Sequence, residues 1–172
     1  MSADSFLYFA YGSNMFTPWL CQPARCPSAR AVGVAELRGH ELRWHKHSKK
    51  DGSGKCDISV EPNTSVLGVL YEIAASEKAP LDRAEGKGFG YDEIEIEVLS
   101  GTNPVRAVTY QASNTDPALR PYTWYRALVI AGAKQHGLPA PYIAGLESVP
   151  ADEDNNRARH DEHMAFIEGA RA

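Results

Sequence analysis

The 172-residue sequence predicts an α+β fold, a strongly curved antiparallel or mixed sheet covered by helices. Two observations lead there. Strand-like runs crowd the first two thirds of the chain and helical patterns the last third, without the regular strand–helix alternation of a doubly wound fold. The run at 91–99 alternates cleanly, with Ile94, Ile96 and Val98 on one side and Glu93, Glu95 and Glu97 on the other, which predicts a half-buried strand with a solvated acidic face.

The elements follow in order. Residues 6–11 (FLYFAY) are apolar on both faces and read as a buried central strand, stopped by the turn formers Gly12, Ser13 and Asn14. A short helix is expected over 15–20, before a Cys/Pro-rich loop at 21–28. Four strand-like runs come next, at 31–37, 40–44, 55–60 and 66–73, with a polar, Gly-rich and mobile loop at 46–54. Ser76 is placed to cap a helix whose less polar side is Ala79, Leu81 and Ala84. Three glycines within 86–90 must end that helix. Residues 105–112 pair with 91–99 across the turn at 100–103. Helices are then expected at 121–136, closed by Gly137 and Pro139, at 142–146, and from about residue 155.

No repeat, low-complexity block or long linker interrupts the chain, so residues 1–172 are expected to form one domain, with its core at about 5–150 and a polar C-terminal helix within 151–172. With 43% hydrophobic and 23% charged residues the composition is that of a globular protein large enough to need no staple. Eighteen Lys and Arg against 22 Asp and Glu leave a net charge of -4, which argues against nucleic acid as a partner. No apolar run approaches the ~20 residues of a membrane span. The N-terminus lacks a basic n-region, so no secretory signal is expected. The odd set Cys21, Cys26 and Cys56 reads as reduced thiols in a cytoplasmic protein.

Several candidate sites can be weighed from residue types. The glycines at 86–90 follow a helix instead of opening one and lack the Lys-Ser/Thr of a phosphate loop. Cys21 and Cys26 have no second pair at zinc spacing, and His40, His45, His47, His160 and His163 read as surface residues, so no metal is expected. Ser13 sits in a tight turn after a strand but lacks the flanking glycines of a nucleophile elbow. That same turn presents successive backbone N–H groups, suited to a carboxylate or an oxyanion, or simply to capping a helix. Glu85 ends a helix, where the dipole disfavours an acid by about 0.3–1 kcal/mol. Such a local mismatch points mildly to function, with an ordinary surface Glu as the alternative.

Three strings in order shift the balance. The stretch 6–14, ending in Tyr11-Gly12-Ser13-Asn14, resembles the YGSN signature of the γ-glutamylcyclotransferase family. Leu81-Asp82-Arg83-Ala84-Glu85-Gly86, with Tyr91 beyond it, resembles that family's catalytic-Glu segment. Tyr125, followed by the 132–139 string GAKQHGLP, resembles its late helix. The resemblance implies a β-barrel-like sheet with surrounding helices and release of 5-oxoproline from a small γ-glutamyl-amino acid or γ-glutamyl-amine, with no cofactor. It implies Glu85 as general acid/base. Tyr8, Phe9, Ala10, Tyr11, Gly12, Ser13 and Asn14 would cradle the glutamyl group, and Tyr91 and Tyr125 would contact substrate. The implied partner is a small γ-glutamyl molecule; a homodimer is compatible. Two alternatives stay open: a non-catalytic γ-glutamyl-binding module, and a tailoring enzyme for a larger γ-glutamylated metabolite. The leaving group, the role of the 46–54 loop and that of the C-terminal helix do not follow from the sequence.

Overall fold

The structure, a computed structural model, describes residues 4–171; residues 1–3 and 172 of the expected domain lie outside this range. Strand β1 (Ser5–Ala10) is the predicted central strand, antiparallel to β3 (Gly54–Ala74) over six pairs and touching β5 (Asn103–Ala112) in parallel at Tyr8 and Val108. Strands β2 (Arg30–His47) and β4 (Tyr91–Ser100) complete the order β1-β3-β2-β4-β5, which closes on itself. The second half of β1, Tyr8 to Ala10, is buried on both faces of the sheet.

The four runs expected between 31 and 73 are two long strands, β2 and β3, paired through three register shifts. The shift at Arg38/His40 contains Gly39 in the left-handed region (φ 72°) and sets residues 61–64 of β3 out of register. Thr64 Oγ1 donates to the carbonyls of His40 (2.7 Å) and Glu61 (3.2 Å) there. Bulges bend a strand without ending it, so what reads as a break in sequence is a corner of the curved sheet. The 46–54 segment is likewise tighter than a mobile loop. β2 runs on to His47, and the turn beyond it is closed by hydrogen bonds from Ser48 N to Ser53 O (3.0 Å) and from Gly52 N to Ser48 O (2.8 Å). β4 and β5 form the expected hairpin, in register from Tyr91/Ala112 to Ser100/Asn103. Glu93, however, does not face solvent alone: it pairs with Lys78 of helix α2 (Lys78–Glu85).

Helices close the sheet. A 3-10 turn, Ser13–Met15, and the short α1 (Thr17–Leu20) follow β1. Ser76 lies within another 3-10 turn, Ala75–Glu77, and caps nothing; α2 starts after Glu77 with no side-chain cap. Helix α3 (Thr123–Gln135) lies against the Ser13–Met15 turn. There the contact requires glycine: a Cβ on Gly132 would stand 2.5 Å from Phe16 N and 2.6 Å from the Met15 carbonyl carbon. Helix α4 (Ala140–Glu147) packs on α3, and α5 (Arg157–Arg171) returns to the core. The return is fixed by Asp154, which accepts from Trp124 Nε1 (2.8 Å) and from Arg159 (2.6 and 2.7 Å), and by His163 stacking on Trp124 at 3.9 Å. Phe9, Ile58, Leu70, Ile73, Leu81 and Leu128 are fully buried between sheet and helices.

The Gly132 contact gives a test whose sign is informative. Helix propensity alone would favour alanine by up to ~1 kcal/mol. The clash with backbone instead predicts that Gly132→Ala destabilises by about 1–3 kcal/mol in urea unfolding, because overpacking against a fixed chain cannot relax. Unchanged or increased stability would mean that the turn is not held against α3.

Candidate active site

A cavity of about 30 Å³ opens where β1 ends, lined by Tyr8, Tyr11, Gly12, Ser13, Asn14, Cys56, Glu85, Tyr91, Tyr110 and Tyr125. Five elements meet here. β1 and its turn bring Tyr8 through Asn14, β3 brings Cys56, α2 brings Glu85, the β4/β5 hairpin brings Tyr91 and Tyr110, and α3 brings Tyr125. The turn passes so close to β3 that a Cβ on Gly12 would stand 3.0 Å from Cys56 Cβ and 3.3 Å from Tyr125 Oη. A larger side chain there would fill the cavity.

Glu85 is the last residue of α2, before Gly86 in the left-handed conformation (φ 68°). The helix is anchored by charge. Lys78 contacts both Asp82 and Glu93, and Tyr110 Oη donates to Asp82. One turn further on, the Glu85 carboxylate reaches the cavity. Its Oε1 accepts a 2.5 Å hydrogen bond from Asn14 Nδ2. The same amide nitrogen donates to Tyr8 Oη at 3.0 Å, and Asn14 Oδ1 accepts from Arg25 at 3.3 Å. A guanidinium has only donors, so it orients the amide with oxygen toward Arg25 and both N–H bonds toward Glu85 and Tyr8. Tyr8 Oη spends its acceptor capacity on Asn14, and its hydroxyl proton meets no acceptor among the described residues.

Burial raises the Glu85 pKa from its usual 4.5, against the opposing pull of Arg25, the Asn14 hydrogen bond, Lys46 and Lys50. Desolvation prevails because the walls are aromatic. Burial also pushes Tyr8, Tyr11, Tyr91 and Tyr125 well above the ordinary phenol value, so all four remain neutral donors at physiological pH. Two of them are tied to the backbone of one residue: Tyr91 Oη donates to Cys56 O (2.5 Å), and Cys56 N–H donates to Tyr125 Oη (3.1 Å). Tyr11 Oη donates to the Tyr110 carbonyl. In the turn, the N–H groups of Met15 and Phe16 bond to Gly12 O and Ser13 O (both 3.1 Å), while those of Gly12, Ser13 and Asn14 have no acceptor among the described residues. They are the unpaired first donors of a helical turn.

Of the residues singled out in the sequence, Tyr8, Tyr11, Gly12, Ser13, Asn14, Glu85, Tyr91 and Tyr125 share this one cavity. Phe9 and Ala10 are not among its lining residues. The Phe9 ring packs into the core over Gly68, where a Cβ would come within 2.7 Å of it, and the Ala10 carbonyl lies against the same glycine. No histidine lines this cavity, and among its described lining residues Glu85 is the one carboxylate. Three residues escaped the sequence reading. Tyr110 sits in an ordinary strand pattern, Cys56 opens a strand as an apparent spare thiol, and Arg25 lies in an aperiodic loop. Only the pairing of β1 with β5 and the folding of that loop onto Asn14 bring them in.

Comparison with known proteins places this arrangement. Residues 65–146 match the AIG2-like family. A gamma-glutamylcyclotransferase from Bos taurus is 33% identical over 157 residues, covering 87% of this chain and 81% of the relative, and that of Homo sapiens is 32% identical with the same coverage. A solved structure of a gamma-glutamyl cyclotransferase superposes with a TM-score of 0.87 at 28% identity, covering 96% of this chain and 99% of the other. A closed five-stranded sheet with a carboxylate among tyrosines at the end of its first strand thus defines a class of enzyme-like cavity. The chain belongs to the gamma-glutamylcyclotransferase family.

The raised Glu85 pKa has a consequence for stability. Between pH 4.5 and the folded-state pKa the native protein binds more protons at this site than the unfolded chain. Stability from this group therefore falls as pH rises through that window. Glu85→Gln is expected to unfold at higher urea than the parent near neutral pH, with the difference vanishing below about pH 4. A variant of equal or lower stability at neutral pH would show the carboxylate to be fully compensated by Arg25 and Asn14.

Proposed function

We propose that this chain is a cyclotransferase that releases 5-oxoproline from a small γ-glutamyl compound, with Glu85 moving the proton. The observation that carries this reading is the single desolvated carboxylate of the cavity, held at 2.5 Å by Asn14 in a wall of neutral tyrosines. Family membership supports the activity, and the chemistry matches what the residues offer.

The substrate's own α-amine attacks its γ-carbonyl carbon. A C–N bond forms to close the five-membered lactam, and the bond to the leaving amine breaks. Nothing is oxidised or reduced, and no external nucleophile enters. Holding the chain folded for attack is worth up to ~7–11 kcal/mol where the geometry is right. The remaining difficulty is the proton. An α-amine with pKa near ~8 is about nine-tenths protonated at pH 7 and so carries no free lone pair. On the way to the lactam N–H the α-ammonium loses two protons. Glu85 accepts one and returns it to the departing nitrogen, and the other passes through solvent and ends on the released amine as its ammonium. A carboxyl whose pKa is raised takes and gives a proton more readily than one at 4.5.

The other groups fall into place around this transfer. The free N–H groups of Gly12, Ser13 and Asn14 suit one of the two anions the reaction presents, the α-carboxylate or the developing oxyanion. The unpaired Tyr8 hydroxyl is a further donor beside Glu85. Asn14 and Arg25 act as positioning residues that fix the carboxylate. A serine-hydrolase reading finds no support in the geometry, since Ser13 has no histidine partner in the cavity.

Replacing Glu85 by Gln removes the proton acceptor while preserving shape. The expected result is a fall in kcat of about 10²–10⁴ with KM little changed, measured as 5-oxoproline released from γ-glutamyl-alanine. Near-normal kcat in that variant, or glutamate in place of 5-oxoproline from the parent, would mean that Glu85 is not the group that moves the proton.

A further inference from the structure

Outside the inner cavity lies a vestibule of about 370 Å³ that shares Ser13, Glu85, Tyr91 and Tyr125 with it. For a cyclotransferase whose scissile amide lies against Glu85, with the glutamyl half directed at the Gly12–Asn14 turn, the leaving group extends into this vestibule. Its wall is strongly basic in a chain whose net charge is -4. Arg25, Lys46, Lys49, Lys50 and Arg83 all line it, and none has a carboxylate partner among the described residues. Two other cations there are already neutralised, Lys55 by Asp51 at 2.9 Å and Arg159 by Asp154. The only carboxylates on the wall are therefore Asp51, committed to Lys55, and Glu85 itself.

The free cations come from three separate parts of the chain: the loop after α1, the end of β2 with its turn, and α2. They stand in two tiers. Arg25 and Lys46 are half-buried beside Glu85. Lys46 Nζ lies 4.7 Å over the Tyr91 ring, and burial lowers its pKa, aided by Lys50 and Lys49, against the opposing pull of Glu85 and Asp51. Lys49, Lys50 and Arg83 are exposed at the rim, with Lys49 5.8 Å over the exposed Phe89 ring. The closed hydrogen bonds of the 48–53 turn hold the two rim lysines in place. Like charges gathered without counterions raise one another's energy, and an anion placed among them relieves it.

We infer that this vestibule selects a leaving amine that carries two or more acidic groups, in the simplest case an acidic amino acid. One carboxylate next to the scissile amide satisfies the inner tier of Arg25 and Lys46. The rim tier has a use only when a second acid lies further along the leaving group. This inference rests on the cyclotransferase reading and adds the substrate class to it.

The test is release of 5-oxoproline from γ-glutamyl-glutamate, γ-glutamyl-alanine and γ-glutamyl-lysine by the full chain, at low and at raised salt. The expected kcat/KM for γ-glutamyl-glutamate is about tenfold above that for γ-glutamyl-alanine at low salt, with γ-glutamyl-lysine lowest and the advantage shrinking as salt screens the wall. In the double variant Lys49→Gln, Lys50→Gln, both at exposed positions, the ratio of kcat/KM for γ-glutamyl-glutamate to that for γ-glutamyl-alanine should fall toward one. The ratio is the readout, because Lys50 also acts on Glu85 and a change there moves both substrates together. Equal or lower turnover of the glutamate compound, or an unchanged preference in the double variant, would overturn the inference and leave the cyclotransferase reading standing. 5-Oxoproline from none of the three would overturn both.

Discussion

The side-chain amide of Asn14 is the constraint on which the site depends. It joins a cation, a carboxylate and a phenol that arrive from three parts of the chain, and its geometry admits only one orientation because Arg25 cannot accept a hydrogen bond. A carboxylate buried alone would escape its desolvation by taking up a proton and turning away. Here one hydrogen bond and nearby positive charge keep it ionisable, while the aromatic walls keep its pKa raised. These opposing effects leave the pKa raised above 4.5, the direction the proposed acid/base role calls for.

The fold serves this arrangement by fixing each contributor from behind. Asn14 is buried in a turn pressed against α3, where Gly132 lets two backbones meet. Glu85 rides on a helix pinned to the β4/β5 hairpin by Lys78, Asp82, Glu93 and Tyr110. Tyr91 and Tyr125 bond to the carbonyl and the N–H of Cys56, so strand, hairpin and helix share one reference point. α5 docks through Asp154, Arg159 and His163 on Trp124, which also borders the vestibule. The C-terminal helix is thereby part of the wall and not an appendage.

Much of this was legible in the sequence, for physical reasons that differ by element. The 91–112 hairpin was plain because one face alternates and the turn is short. Glu85 drew notice because it sits against the helix dipole, directly before a left-handed glycine. The long strands β2 and β3 were not legible, since bulges that bend a strand and turns that end one use the same residues. Phe9 and Ala10 were drawn into the site by their place in a string, although the Phe9 ring points into the core over Gly68. Arg25, Cys56 and Tyr110 could not be found at all, because their roles arise from contacts across 11 to 99 positions that no local pattern encodes. The basic vestibule belongs to the same class: five cations scattered from Arg25 to Arg83 become a wall only when folded.

In the proposed mechanism the proton affinity of one group decides the chemistry, and that affinity can be read directly. The carboxyl carbon of Glu85, labelled with ¹³C-glutamate and assigned through Glu85→Gln, would be titrated by NMR in the free protein and in Asn14→Ala. The midpoint should lie above 4.5 in the parent and higher still in the variant, since the lost hydrogen bond favours the charged form. The acid limb of kcat/KM should move with it. A midpoint at the ordinary glutamate value, or a kinetic limb that stays fixed while the carboxyl pKa shifts, would contradict a proton-transfer role for Glu85.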